Sequence, residues 1–277
     1  MREINSKKVR DSKIEILKNE VLKLERKPRL VIVQVQGDEA STRYVNNKKK
    51  LGDEIGIIVE HVLFKSDVKE HHLKEYISFL NEDSEVDGVI VQLPLPSHIN
   101  EHSVTNSIDY TKDVDGLTEK QMGMLASNNE NALYPCTALG VVNILESLTK
   151  IDGLDVVVIN RSHLIGKPLQ AILTNKNATV TVCHSKTKNL KEKTKNADVI
   201  VTGIGKAEFF DSSYFTDGQI IIDCSMNFKN GKLCGDVKVD SLTSLDIDIA
   251  SGKGHTGPST VLSLIENTVK AYNLKNK

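Results

Sequence analysis

The chain has 277 residues, enough for two ordinary domains or one large one, and long enough to bury a substantial core. Its 36 basic and 37 acidic residues nearly cancel, so no broad basic field exists to draw nucleic acid or an anionic membrane, and small molecules or other proteins are the expected partners. No apolar run approaches a membrane span, and the polar opening MREINSKKVRDSK lacks the apolar stretch of a secretion signal, so the expected location is cytoplasmic.

The first helical pattern covers roughly residues 7–25 and leads into a strand-like run, RLVIVQV (29–35). A second helix, 41–55, carries STRYVNNKKK, with Tyr44 one turn before Lys48, Lys49 and Lys50. Alone, the run reads as a solvated basic face. Repulsion between neighbouring ammonium groups and any burial both lower a lysine pKa, which is the condition for acid–base chemistry near neutral pH. The strand GIIVEHVLF (56–64), a helix over 68–82 and the strand VDGVIVQL (86–93) follow. Gln92 then stands at a strand's carboxyl end, and the prolines of QLPLP stop the strand.

Alternation lapses over 110–150 into a long polar stretch holding KDVDG (112–116), and such stretches tend to be functional or to join domains. YPCT (134–137) precedes a helix over 137–149, with Thr137 as the expected N-cap. The expected division is therefore 1–138, then 139–257, with the last helix, 258–277, packing back on the first unit.

The second unit continues with strands at DVVVIN (155–160), ATVTVC (178–183), ADVIVTGI (197–204) and QIIIDC (219–224), with helices over 167–175, 188–196 and 258–273. Strands rich in Val and Ile and apolar nearly throughout belong to parallel sheets covered on both faces. The fold class is α/β, doubly wound, in two α/β domains, the second of Rossmann type, with a cleft between them. DVVVINRSHLIGKP runs from a strand through a turn to Gly166 and Pro168, where a Rossmann unit sets a pyrophosphate over free helix N–H groups. The usual G-x-G-x-x-G is missing. Asn160 stands where a glycine is usual, and Asn tolerates positive φ. The next strand ends in His184 and Ser185 rather than an acid. With Arg161 they suit a 2′-phosphate, whereas a surface Arg161 and a helix-capping Ser185 form the plainer alternative. The glycines of VTGIGK (201–206) let a ligand approach the backbone, and DCSMN (223–227) ends a fourth strand. Cys136, Cys183, Cys224 and Cys234 lack metal-site spacing and are expected as reduced thiols.

Taken singly, Gln92 as a satisfied amide, Asp113 and Asp115 as turn residues and Cys136 as a small core residue are the simpler readings. Their joint order is more specific. Y-x-x-x-K, VQLPLP, KDVDG, PCT, R-S-x-x-x-G-x-P, CHS, GDV and GPST, from about residue 30 to about 270, resemble the bifunctional methylenetetrahydrofolate dehydrogenase/methenyltetrahydrofolate cyclohydrolase family. The resemblance implies that a hydride passes from 5,10-methylenetetrahydrofolate to NADP⁺. Water then opens the resulting methenyl cation to 10-formyltetrahydrofolate, a one-carbon donor for purine biosynthesis. It further implies Lys48 as the catalytic lysine and Tyr44 as the tyrosine stacked on the folate. Gln92 would hydrogen-bond the lysine and Asp115 would hold the pterin, with Leu93, Gly254 and Pro258 beside the substrate. Cofactor contacts fall at Asn160, Arg161, Ser162 and Gly166, at His184 and Ser185, and at Thr202, Gly203 and Met226. A homodimer is implied, and no metal. On this reading Lys49 remains solvated. Short-chain dehydrogenases also use Y-x-x-x-K, but with the nucleotide fingerprint ahead of it.

Three departures from the family pattern stand out. They are Asn160, Cys224-Ser225-Met226-Asn227 after the fourth strand's acid, and ASGKGHTGPST (250–260), which lacks the usual prolines and introduces Lys253 and His255. That loop leaves a second hypothesis: a diverged member with one activity, or a nucleotide- or folate-binding protein without efficient turnover.

Overall fold

The computed structural model describes residues 1–4, 6–37, 39–251 and 256–277, without the side chains of 6–9, 39, 40 and 256. Gly254, Lys253 and His255 therefore lie outside the described residues. In chain order the elements are β1 (Arg2–Glu3), α1 (Ser6–Val21), β2 (Arg29–Val35), α2 (Glu39–Ile55), β3 (Ile58–Phe64), α3 (Glu70–Glu82), β4 (Gly88–Val91), α4 (Glu101–Thr105) and α5 (Glu119–Ala126). Then come α6 (Cys136–Glu146), β5 (Asp155–Ile159), α7 (Gly166–Asn175), β6 (Thr179–Cys183), α8 (Leu190–Lys195), β7 (Val199–Thr202), β8 (Ile220–Asp223), β9 (Asn227–Lys229), β10 (Lys232–Cys234), β11 (Asp248–Ala250) and α9 (Thr256–Lys275).

Contacts divide the chain into two compact units. One joins Ser12–Cys136 to Val261–Lys277; the other joins Met1–Asp11 to Thr137–Thr260. The first differs from the expected division at its start. β1 pairs in parallel with β11, so the opening residues belong with the second unit's sheet. A two-residue strand carries no periodicity that sequence could reveal.

In the first unit β2 lies between β3 and β4, all parallel. Leu30 to Val33 are completely buried, as a central strand covered on both faces requires. One core gathers Leu30, Ile32, Val45 and Ile55 with Leu262 and Ile265 of α9, which is why the last helix returns here. The segment after α4 docks on β4 through a parallel bridge between Val89 and Asp113.

The second unit holds a parallel sheet in the order β1-β11-β8-β7-β5-β6. From β5 the chain moves outward to β6, then returns past β5 to β7. The order reverses between β5 and β7, and in open α/β sheets ligands bind outside the strand ends at such a switch point. β9 and β10 form an antiparallel hairpin.

Candidate active site

α2 buries a stripe at Ser41, Val45, Leu51, Gly52 and Ile55, and Lys48 lies on that stripe. Lys50 is exposed. Lys49, expected in solvent, is instead partly buried; burial holds the His61 imidazole's pKa down, and the nearby Lys49 charge adds to it. Helical spacing thus answers the question the KKK run raises: adjacent lysines point in different directions, and only one follows the core.

Lys48 Nζ donates to Gln92 Oε1 at 2.8 Å. Gln92 leaves β4 with its backbone N–H donating to Val33 O (2.8 Å) and its Nε2 to Leu93 O (2.8 Å), so both ends of the amide are fixed. Burial lowers the Lys48 pKa, and the negative charge of Asp115 offsets only part of that. Tyr44 sits one turn away on the same helix face, half-buried, and burial pushes its phenol up, keeping it neutral.

Asp115 is positioned by its neighbours. Lys112 is buried and its Nζ donates to Leu80 O (2.8 Å), Asn81 O (2.7 Å) and Asp83 O (2.7 Å), capping the C-terminal end of α3. Asp113 is fully buried and accepts from Gly116 N (2.9 Å) and Thr118 N (2.7 Å). Burial pushes its carboxyl up to about 6 against the pull of those bonds. Gly116 is at φ +69°, and a Cβ there would meet Leu133 O at 2.6 Å, so only glycine closes the turn. Asn267 of α9 donates to Val114 O and Tyr134 O, both at 2.8 Å, and ties this turn to the segment ahead of α6. α6 opens at Cys136, so Thr137 lies inside the helix and not at its cap. The Cys136 thiol donates to Val114 O (3.3 Å) and lies against Asp115, whose charge joins burial in pushing it up. Lys48, Gln92, Asp115 and Cys136 are thus one cluster, with Tyr44 and Leu93 beside it. Lys112, Cys136 and Asn267 were not singled out by sequence for this site. KDVDG and PCT were the available signal for the first two, and nothing marked Asn267. Pro258 falls in the first turn of α9, in the other unit.

In the second unit β5 and β6 pair with Ile159 opposite Cys183, so Asn160 and His184, then Arg161 and Ser185, leave the sheet side by side. Arg161 and Ser185 are exposed. Ser185 does not cap a helix; Asn189 precedes α8, and His184 organises the turn, its Nδ1 accepting from Lys186 N (3.2 Å).

Asn160 corrects two expectations. It is not among the residues with positive φ. Its side chain does the work: Oδ1 accepts from Ser162 N (2.7 Å) and Gly166 N (3.1 Å), and Nδ2 donates to Gly203 O. Ser162 Oγ accepts from Ile165 N (3.1 Å), and Ser162 O accepts from Lys167 N (3.0 Å). The N–H groups at the start of α7, expected to be free for pyrophosphate, are used inside the turn. The Asn160–Gly203 bond crosses the switch point itself. Gly166 is buried, and a Cβ on it would meet Asn160 O at 2.0 Å. Thr202 is buried at the end of β7, Gly203 is partly exposed, and Met226 is 44% exposed.

The "Tetrahydrofolate dehydrogenase/cyclohydrolase, catalytic domain" model matches residues 4–115, and the "NAD(P)-binding domain" model of the same family matches residues 135–276. The chain belongs to the tetrahydrofolate dehydrogenase/cyclohydrolase family. It is similar to the Bifunctional protein FolD of Hydrogenobaculum sp. (strain Y04AAS1), 41% identical over 258 residues, covering 92% of this chain and 93% of that one. Among solved structures it resembles the methylenetetrahydrofolate dehydrogenase/cyclohydrolase FolD of Campylobacter jejuni, with TM-score 0.94, 33% identity and 99% of each chain covered. It also resembles the Trypanosoma brucei FolD complexed with NADP and an inhibitor, with TM-score 0.90, 28% identity and coverage of 99% and 98%.

Proposed function

We propose that the chain oxidises 5,10-methylenetetrahydrofolate with NADP⁺ and hydrolyses the methenyl product to 10-formyltetrahydrofolate. The observation that carries this reading is the buried Lys48 amine held on Gln92 Oε1 beside Asp115, in a member of this family. The nucleotide unit fits the cofactor. Its strand ends meet at a switch point, Gly205 leaves the backbone open to approach, and Arg161 stands exposed beside Ser185. Arg161 and Ser185 would hold the 2′-phosphate, with Ser162, His184, Thr202, Gly203 and Met226 around the rest. NADP⁺, when bound, supplies the acceptor for the hydride leaving the methylene carbon.

The chain's own residues account for the hydrolytic half. A neutral Lys48 amine takes a proton from the water adding to the cationic carbon, and returns it to the ring nitrogen that departs. The second proton of that water leaves the carbinol hydroxyl as the formyl C=O forms and the C–N bond breaks; the amine accepts it and passes it to solvent. Gln92 aims the amine, and the methenyl cation further disfavours an ammonium next to it. Asp115 binds the pterin, and the neutral Tyr44 ring lies along the folate. Leu93 and Pro258 complete this reading, together with a homodimer in the cytoplasm feeding purine biosynthesis.

A spectrophotometric assay with methylenetetrahydrofolate and either NADP⁺ or NAD⁺ tests it. NADP⁺ turnover followed by hydrolysis is expected, and Lys48→Met lowers hydrolysis by about 1,000-fold. Turnover indifferent to that substitution contradicts the reading.

A further inference from the structure

The turn after β5 spends its N–H groups on Asn160 and Ser162, which directs attention to the loops after β7 and β8. Those loops close around a single side chain. Asp236 is fully buried, and all five of its donors are neutral. Oδ2 accepts from Ile204 N (2.6 Å), Ser225 Oγ (2.8 Å) and Thr202 Oγ1 (3.1 Å). Oδ1 accepts from Lys206 N (2.7 Å) and Asn227 Nδ2 (3.1 Å). Gly205 N completes the arrangement by donating to Ser225 Oγ (3.1 Å). Three successive N–H groups, of residues 204, 205 and 206, thus converge on the Asp236–Ser225 pair, a chain conformation that elsewhere cradles an external anion. Gly205, at φ +69°, permits it.

The carboxylate is itself held from behind. Phe210 N donates to Asp236 O (2.9 Å), and Lys238 N to Phe210 O (2.8 Å). Next to it Asp223 accepts from Ser225 N (3.0 Å) and Val237 N (2.8 Å), and a Cβ on Gly235 would meet Asp223 Oδ2 at 2.0 Å. A buried carboxylate is costly unless its lone pairs are filled, and here filling them fixes two loops from different strands.

We propose that Asp236 is the positioning residue of the nucleotide site, holding residues 202–206 and 225–227 in the one arrangement that accepts the dinucleotide. It acts through the loops and does not touch the ligand. The inference rests on the reading of this unit as the NADP site.

The test measures NADP⁺ affinity by direct titration, together with dehydrogenase and cyclohydrolase kinetics, in wild type, Asp236→Asn and Ser225→Ala. Asp236→Asn replaces an acceptor by a donor facing donors. It is expected to raise the NADP⁺ Kd and KM tenfold or more. The dehydrogenase kcat at saturating nucleotide and the cyclohydrolase rate, which needs no nucleotide, stay within twofold. Ser225→Ala removes one donor and the acceptor for Gly205, and raises the Kd about threefold. An unchanged Kd in folded Asp236→Asn overturns the proposal, as does a parallel fall of both activities, which marks general destabilisation. Where Asp236→Asn does not fold, an unchanged Kd in Ser225→Ala overturns it. Wild type that binds no NADP⁺ refutes the functional reading instead.

Discussion

The Lys48 cluster and the nucleotide-site loops are both rich in polar side chains, but the side chains face opposite ways. In the first, Lys48, Gln92 and Asp115 are the residues proposed to act, and Lys112, Asp113 and Asn267 fix the turn that carries Asp115. In the second, the best-connected side chains, Asn160 and Asp236, point inward, Asn160 bonding to backbone and Asp236 to backbone and side chains of two loops. What they leave for a ligand is glycine backbone and exposed side chains such as Arg161. The lesson is that dense hydrogen bonding marks the scaffold of a site as readily as its working surface. Damage to the first region should appear in rate, and damage to the second in nucleotide affinity or local stability.

A rate defect from the second region, or an affinity defect from the first, would contradict this division. After Lys48 itself, the largest effect is expected at Gln92. Gln92→Leu frees the amine to wander, and cyclohydrolase turnover should fall about tenfold to a hundredfold while the NADP⁺ Kd stays unchanged. Steady-state kinetics beside nucleotide titration checks this, and a changed Kd with normal turnover contradicts it.

A pH effect sharpens the second region. Burial, with Asp236 adding repulsion, pushes the Asp223 carboxyl up from 3.8 to about 7. The folded state therefore holds this proton more tightly than the unfolded chain. The associated stability is fully present below pH 3.8 and is lost as pH rises through about 7. Carboxyl ¹³C titration should give a midpoint near 7, and the nucleotide unit should unfold more easily at pH 8 than at pH 5.5. A midpoint near 4 contradicts it. The smallest effect is at Asn160. Asn160→Ala leaves Ser162 N and Gly166 N to water and should lower unfolding free energy by about 1–2 kcal/mol. Thermal unfolding should show a drop of about 2–8 °C, with cyclohydrolase turnover unaffected.

Much of this was legible before the fold. The strand at 29–35 ends where the Val/Ile run ends, because burial on both faces demands an unbroken apolar stretch. Tyr44, Lys48, Gln92 and Asp115 were brought forward as candidates by the order of short motifs, and the fold places Lys48 on Gln92 with Asp115 close by. Helix α5 was hidden in the polar stretch, since Gln121 and Leu125 are the only buried positions of its eight residues. Asn160 looked like a backbone substitute for glycine, because sequence shows that Asn tolerates positive φ but not that its amide will bridge two strand ends. The role proposed for Asp236 depends on donors from residues 202 to 227, a convergence no local pattern records.

The proposed hydrolysis rests on a Lys48 amine that burial makes easier to deprotonate. The direct measurement is an NMR titration of the Lys48 side chain in the intact protein, assigned by the signal lost in Lys48→Met. A midpoint below the ordinary lysine value of 10.5 is expected. A midpoint at or above 10.5 would contradict it.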